Sequence, residues 1–494
     1  ALADHRVGGQ QHIGGQEHFY LEGQIAMAVP GEGREMQVLC SAQSPATIQT
    51  LVAHILNLPE AMVTCEVRRV GGAFGGKDTQ AAHWAGLAAL AAYHTKRPCK
   101  IRLDRDEDFV LTGKRHDARA DWHVGYSDTG QITAIAMNFA LRCGCWVGES
   151  QEAADRLMLH ADNAYFLPSA RIAVQSLRTH TVANAAFRGF GASKSILTIE
   201  TIMQGLAAKT GFDALDVRKA NLYGHHGTQT PYGMAVDSSV TGRRIIEQLE
   251  KSADYRARRQ QIARFNESST ILKKGLALTP VKFGISFTEQ HLNQAGALIH
   301  LYPDGSVHLV HGGTELGQGL YSKVAQIVAD ELGVPLSLIH HGATRTDKVP
   351  NASPTAASAS SDLNGMAARN AALTLRSRLA AFIAEAFKCS TVDIHFANGS
   401  VQIGDQTKSF ADVVRLAYQA RVQLSASGFY KTPKLDWDRT RKSGRPFYYF
   451  VWGAACSEVV IDTMTGESKV LRTDILHDVG HSLNPALDRG QIEG

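Results

Sequence analysis

Nine consecutive residues, Val70-Gly71-Gly72-Ala73-Phe74-Gly75-Gly76-Lys77-Asp78, bring together four glycines, a cation and a carboxylate. Glycine has no side chain to hold a ligand at a distance, and the first turn of a following helix leaves N–H groups unpaired, so the stretch suits a phosphate or pyrophosphate. Gly71 to Lys77 also has the GxxxxGK spacing of a P-loop, but Asp78 stands where a Ser or Thr hydroxyl would hold magnesium. A carboxylate beside nucleotide phosphates repels them. The same residues also allow a purely structural turn with Asp78 as the helix cap. A second concentration, Ala186-Phe187-Arg188-Gly189-Phe190-Gly191-Ala192, sets aromatic rings and a guanidinium among glycines that cannot pack as a core. It reads as a loop offering rings and charge to a flat ligand, with a cation–π staple between loop and core as the alternative. His311-Gly312-Gly313-Thr314-Glu315-Leu316-Gly317-Gln318-Gly319 is another glycine-rich loop ahead of a helix, and the hydroxyl-rich run from Asn351 to Ser361 is either a flexible linker or a set of donors for an anion.

The segments around these stretches predict how they are held. Alternation at Val63-Thr64-Cys65-Glu66-Val67 predicts a strand before the first loop, and the alanine-rich run from Thr79 to His94 predicts a helix after it. Upstream, Glu35 to Cys40 reads as a strand. Ser44-Pro45 then caps a helix with Ile48, Leu51, Val52 and Ile55 on one face. Together with a strand at Lys100 to Leu103 this gives a partly parallel sheet covered by helices. Hairpins are expected at Ser127-Asp128-Thr129-Gly130, Pro303-Asp304-Gly305, Asn398-Gly399 and Thr463-Met464-Thr465-Gly466. The charged stretch from about Glu250 to Lys274 reads as a linker, dividing the chain into residues 1–250, 251–274 and 275–494. The fold class expected is α/β (α+β): two elongated mixed-sheet domains with helices and a ligand held between them.

At 494 residues the chain exceeds what one core usually supports, and 44% apolar residues suffice for more than one. A net charge of +4 without blocks of like charge points to neither nucleic acid nor membrane, and no apolar run is long enough to span a bilayer. The seven cysteines are odd in number and scattered, which suits reduced thiols in a cytoplasmic protein rather than a disulfide framework, zinc ribbon or iron–sulfur cluster. His477 and His481 have a metal-like spacing, but Gly480 and the following Ser-Leu-Asn-Pro favour a turn. The opening Ala-Leu-Ala and the ending Gly-Gln-Ile-Glu-Gly suggest a piece of a longer polypeptide.

Eight ordered segments, GGQEHFYLE, RVGGAFGGKDT, NAAFRGFGA, KFGISFT, LNQAGALIH, HGGTELGQGL, NASPTAASAS and LNPALDRGQIEG, resemble the molybdenum-binding part of the xanthine dehydrogenase/oxidase family across nearly the whole chain. The resemblance implies a molybdopterin cofactor held between two domains, with 2Fe–2S and FAD groups on other domains or subunits. It also implies a further C-terminal segment, an oligomeric enzyme and a purine substrate. By resemblance Gln16 would hydrogen-bond an oxo ligand of the metal, and Gly72, Ala73, Phe74 and Gly75 would line the cofactor. Gln318, Ala357, Ser358, Ser360 and Gln491 would grip the pterin and its phosphate, and no protein side chain would ligate molybdenum. Phe190 and Phe287 would sandwich the substrate, Arg156 would stabilise charge developing on its far ring, and Arg188 and Thr288 would complete the pocket. The implied reaction is hydroxylation of a ring carbon with water as the oxygen source, hypoxanthine to xanthine or xanthine to urate, with aldehydes or other N-heterocycles as the alternative. Asp78 stands where purine-oxidising relatives carry a longer Glu, so its contact with substrate is expected through water. The family's base glutamate would lie beyond Gly494, so the polypeptide as written is expected not to turn over.

Overall fold

The computed structural model describes residues 3–224, 226–356 and 359–493. Its architecture is α/β, and three apolar cores organise it. The first belongs to a five-stranded sheet in the order Thr344–Arg345, Val63–Val67, Met36–Cys40, Ile25–Pro30, Cys99–Arg102. Met36–Cys40 and Val63–Val67 run parallel, as their helical connection requires. That connection, helix Pro45–Leu56, starts where Ser44 Oγ accepts the Thr47 N–H and Pro45 fills the first turn; it ends at Asn57 in the left-handed region. Helix Gln80–Thr95 packs beside it through a face of alanines, which lets it approach the sheet closely.

The second core is the largest and joins distant parts of the chain. A four-stranded sheet, ordered His5–Ile13, Ala118–Tyr126, Ile132–Gly144, Ala170–Arg178, shares it with a three-stranded sheet, ordered Ser468–His477, Tyr449–Asp462, Leu272–Ile285. Leu272–Ile285 pairs with Tyr449–Asp462 in one unbroken antiparallel register from Leu272 opposite Asp462 to Ile285 opposite Tyr449. The third core lies under the sheet ordered Ile339–His341, Val307–His311, Gln294–Leu301, Ser425–Lys431, covered by helices Leu320–Leu332 and Ser360–Phe387. All four expected hairpins connect antiparallel neighbours.

The stretch expected to be a linker is folded. Residues 255–268 form helix Tyr255–Ser268, whose buried Tyr255, Arg258 and Ile262 recur at helical spacing. Arg258 donates to Glu458 at 2.9 Å and Asp474 at 2.8 Å, so its charge is neutralised inside the second core by carboxylates two hundred positions away. No helix among the described residues is long and apolar enough to cross a membrane.

Candidate functional site

Strand Val63–Val67 delivers the chain into the first glycine bend, where the Val70 N–H donates to the Glu315 carbonyl at 2.9 Å and ties this bend to the second glycine loop. Lys77 does not face a ligand. It is fully buried, with Nζ donating to the Glu22 carbonyl at 2.6 Å and to Ser41 Oγ at 2.9 Å, and burial lowers its pKa to about 8. A P-loop needs that ammonium on the phosphates, so the nucleotide-binding alternative loses its cation. Gly75, at φ +105°, donates its N–H to Gln43 Oε1 at 3.0 Å; a Cβ there would stand 2.6 Å from the Ala186 carbonyl. Glycine is therefore what lets the first bend approach the aromatic loop, and the Arg188 N–H donating to the Phe74 carbonyl at 2.8 Å closes that junction.

The second glycine loop is organised from within. The Glu315 carboxylate accepts the N–H groups of Gly317 at 2.9 Å, Gly319 at 3.0 Å and Tyr321 at 3.0 Å, at the positive end of helix Leu320–Leu332. Gln318 folds back, accepting the Leu316 N–H at 2.6 Å and donating to the Thr314 carbonyl at 3.1 Å. The Thr314 N–H reaches Thr355 Oγ1 at 2.8 Å, and Gln43 Nε2 reaches the Thr355 carbonyl at 2.9 Å. Residues from both halves of the sequence thus converge on the same few ångströms.

Between these loops lies a cavity of about 680 Å³. Ala73, Phe74, Gly75 and Asp78 line it from the first bend, and Arg188 and Phe190 from the aromatic loop. Phe287, Thr288, Gln318 and Gln491 line it from the second half of the chain. Arg156 reaches its wall from helix Ser150–Leu159, but the residue is only 6% exposed. Its Nη1 donates to the Gly284 carbonyl at 2.7 Å and its Nη2 to the Ser286 carbonyl. The guanidinium carbon lies 5.2 Å from the Phe283 ring centre and 5.0 Å from that of Phe447, and burial lowers its pKa to about 10. Arg156 therefore stays charged at neutral pH and fastens the helix to the end of strand Leu272–Ile285, two residues before Phe287.

Three of the residues expected at the site lie off the cavity wall. Gln16 lies behind the aromatic loop: its Oε1 accepts from Arg115 Nε at 2.7 Å, and Arg115 Nη2 donates in turn to the Arg188 carbonyl at 2.8 Å. Gly72, at φ +91°, shapes the bend without lining the cavity, and Ser360 is buried with Oγ donating to the Ala356 carbonyl at 2.8 Å. Ala357 and Ser358 lie outside the described residues. Gln43, absent from the sequence-based set, lines the cavity wall, its amide tying Gly75 to Thr355. Its position just before the Ser44-Pro45 cap was the available signal, since a glutamine there can reach across the helix start.

Three further carboxylates on the wall, Glu149, Glu152 and Glu289, were also not anticipated. Glu149 accepts the Ala186 N–H at 3.0 Å and the Thr79 hydroxyl at 3.3 Å, and its carboxyl faces Asp78. Burial raises the pKa of both members of this pair, and Glu149 is raised further by the neighbouring Asp78 charge. Burial raises Glu152 as well, and its Oε2 has no hydrogen-bond partner among the described residues. Glu289 is paired with Arg439.

The residues present fit an anionic tricyclic pterin. Gly317, at φ +102°, has no atom within 4 Å of where a Cβ would stand, so a side chain there would take up cavity space that its absence leaves to a ligand. The walls beside it are Gln318 and the Thr355–Ala356 backbone.

Two models of the molybdopterin cofactor-binding domain match the chain, one over residues 1–222 and one over residues 248–494. Curated relatives include the xanthine dehydrogenase/oxidase of Felis catus, 43% identical over 493 residues, and that of Gallus gallus, 42% identical over 493 residues. Both alignments cover 100% of this chain but only 36% and 35% of the relative, so the chain spans about a third of their length. Among solved structures, quinoline 2-oxidoreductase from Pseudomonas putida superposes with a TM-score of 0.85 at 22% identity, covering 99% of this chain and 63% of that one. The aldehyde oxidoreductase of Desulfovibrio gigas gives 0.84 at 22% identity, covering 99% and 51%. At such identities these two neighbours speak for the fold alone.

Proposed function

We propose that this chain, which belongs to the xanthine dehydrogenase/oxidase family and carries its molybdopterin cofactor-binding domains, is the catalytic portion of a molybdenum hydroxylase acting on purine-like N-heterocycles. The observation that carries this reading is the convergence of Phe74, Phe190, Phe287, Arg188, Asp78 and Gln318 on one cavity, from loops far apart in sequence. When bound, the molybdenum–pterin group supplies two-electron redox chemistry and oxygen transfer from water. The bends at Gly75 and Gly317, the Thr355–Ala356 backbone, Gln43, Gln318 and Gln491 would hold it.

The chain's own residues then bind and orient the substrate. Phe190 and Phe287 offer aromatic faces that favour a flat ring over water, and their burden of apolar surface keeps the reacting region dry. Asp78 offers a carboxyl to ring N–H groups, and Thr288 a hydroxyl. Arg156, charged and held in place by two carbonyls, projects a positive field on the slot that stabilises negative charge gathering on the ring. Electrons leave to iron–sulfur and flavin groups on another domain or subunit, in keeping with relatives nearly three times as long as this chain. A full-length enzyme containing this chain should oxidise hypoxanthine with higher kcat/KM than an aromatic aldehyde, and Phe190→Ala should lower the hypoxanthine value by roughly tenfold or more, the cost of losing one stacking face. A preference for the aldehyde that survives Phe190→Ala would reject the heterocycle assignment.

A further inference from the structure

Helix Ser150–Leu159 points three acidic or basic side chains at the cavity, and only one of them is explained above. Glu149 sits just before the first turn, Glu152 follows three residues later and Arg156 four after that, so all three share one helix face. Arg156 at the inner end is fastened to carbonyls. At the outer end Glu149 uses one oxygen on Thr79 and the Ala186 N–H, while its carboxyl faces Asp78. Glu152 keeps Oε2 buried and without a hydrogen-bond partner among the described residues, on the cavity wall. Buried acceptors left without donors are costly, and a bound ligand is the available source of donors here.

The charge balance points the same way. Asp78, Glu149 and Glu152 stand together on the wall, the two free N–H directions of Arg156 already end on protein carbonyls, and Glu289 is occupied by Arg439. Arg188 forms no ion pair among the described residues, but a single exposed guanidinium does not offset three carboxyls. The slot is therefore rich in acceptors and poor in donors along one edge, next to the rings of Phe190 and Phe287.

We propose that Glu149 and Glu152, acting with Asp78, set the substrate specificity of the site toward planar N-heterocycles with an exocyclic amino group beside a ring nitrogen, and against heterocycles bearing a carboxylate. The two N–H bonds of an exocyclic amino group diverge, so one can donate to Glu152 and the other toward the Asp78–Glu149 pair. A ring carboxylate would meet like charges in a partly dry cavity. This inference rests on the heterocycle-binding reading of the same cavity.

The test compares equilibrium binding of purine, 2-aminopurine and pyridine-3-carboxylate to the full-length holoenzyme, with 2-aminopurine fluorescence as the direct readout and competition for the other two. The wild-type protein should bind 2-aminopurine at least roughly tenfold more tightly than purine, the scale of one charged hydrogen bond, and pyridine-3-carboxylate least tightly. In Glu152→Gln and Glu149→Gln the amino preference should shrink toward unity and pyridine-3-carboxylate should bind more tightly. Equal wild-type affinity for purine and 2-aminopurine overturns the specificity proposal, whatever the variants do. Failure of purine itself to bind overturns the heterocycle reading beneath it, a different and separable result.

Discussion

Replacing Arg156 with Lys tests whether this residue is a fastener as well as a charge. The guanidinium makes two hydrogen bonds, to Gly284 at 2.7 Å and to Ser286, and lies between the rings of Phe283 and Phe447 at 5.2 and 5.0 Å. A lysine ammonium keeps the charge but can reach one carbonyl in good geometry and cannot stack flat between two rings. Losing one charged hydrogen bond costs about 1.5–3 kcal/mol, and the lost ring contacts about 1 kcal/mol more. An unfolding entropy of about 2.1 cal/mol/K per residue over 494 residues is roughly 1 kcal/mol/K, so a cooperative transition should fall by about 2.5–4 °C. Because Ser286 directly precedes Phe287, the same change should loosen one wall of the slot and lower kcat/KM for hypoxanthine by about tenfold or more. Differential scanning calorimetry beside steady-state kinetics on the holoenzyme reads both quantities. Arg156→Lys with an unchanged Tm and reduced kcat/KM would show that the side chain acts on substrate alone, and the fastening argument would be wrong.

Three other perturbations follow from the geometry. The raised pKa values of Asp78 and Glu149 mean that the folded state holds protons more tightly than the unfolded chain, so stability should decline as pH rises from about 4 through the raised folded values. Glu149→Gln removes that cost, and its Tm should exceed the wild type's at pH 8 and approach it at pH 4; a constant difference across pH would contradict the raised carboxyl pKa values. A Cβ at Gly191 would lie 1.8 Å from the Ala153 carbonyl, so Gly191→Ala must push the Phe190 loop off helix Ser150–Leu159, and molybdenum content and released-pterin fluorescence of the purified enzyme should drop sharply. Asp162→Asn strands Lys282, whose Nζ sits 2.9 Å from the Asp162 carboxylate with both side chains buried, and urea denaturation should show a loss of roughly 3–5 kcal/mol.

Much of the site was legible because its signal is compositional. Glycines beside Phe74, Phe190 and Gln318 cannot be core, and the structure does bring those bends to one cavity. What escaped was set by partners far away in sequence. Gln16 sits in an inviting glycine-led stretch, yet Arg115 claims its side chain, and nothing within ten residues announces that pairing. Gln43, Glu149 and Glu152 look like ordinary helix-start residues until the loops that oppose them are in place. The charged segment around Arg258 resembled a solvated linker because its neutralising Glu458 and Asp474 come from the far end of the chain. For the same reason the largest core, which mixes residues 118–262 with residues 437–456, crosses the expected division at residues 251–274. Periodicity reports which face of an element is apolar, but not which distant element will cover it.

The arrangement along helix Ser150–Leu159 bears on how such a protein could change its diet over generations. Position 156 is bolted at the inner end by two main-chain oxygens, so altering it unsettles the scaffold together with the ligand. Positions 152 and 149 lie about one and two turns away on the same face: Glu152 keeps an oxygen without a partner among the described residues, while Glu149 holds the Ala186 N–H and the Thr79 hydroxyl. New preferences among heterocycles should therefore arise first by exchange at position 152, leaving the anchored arginine untouched as the fixed reference point around which the rest is retuned.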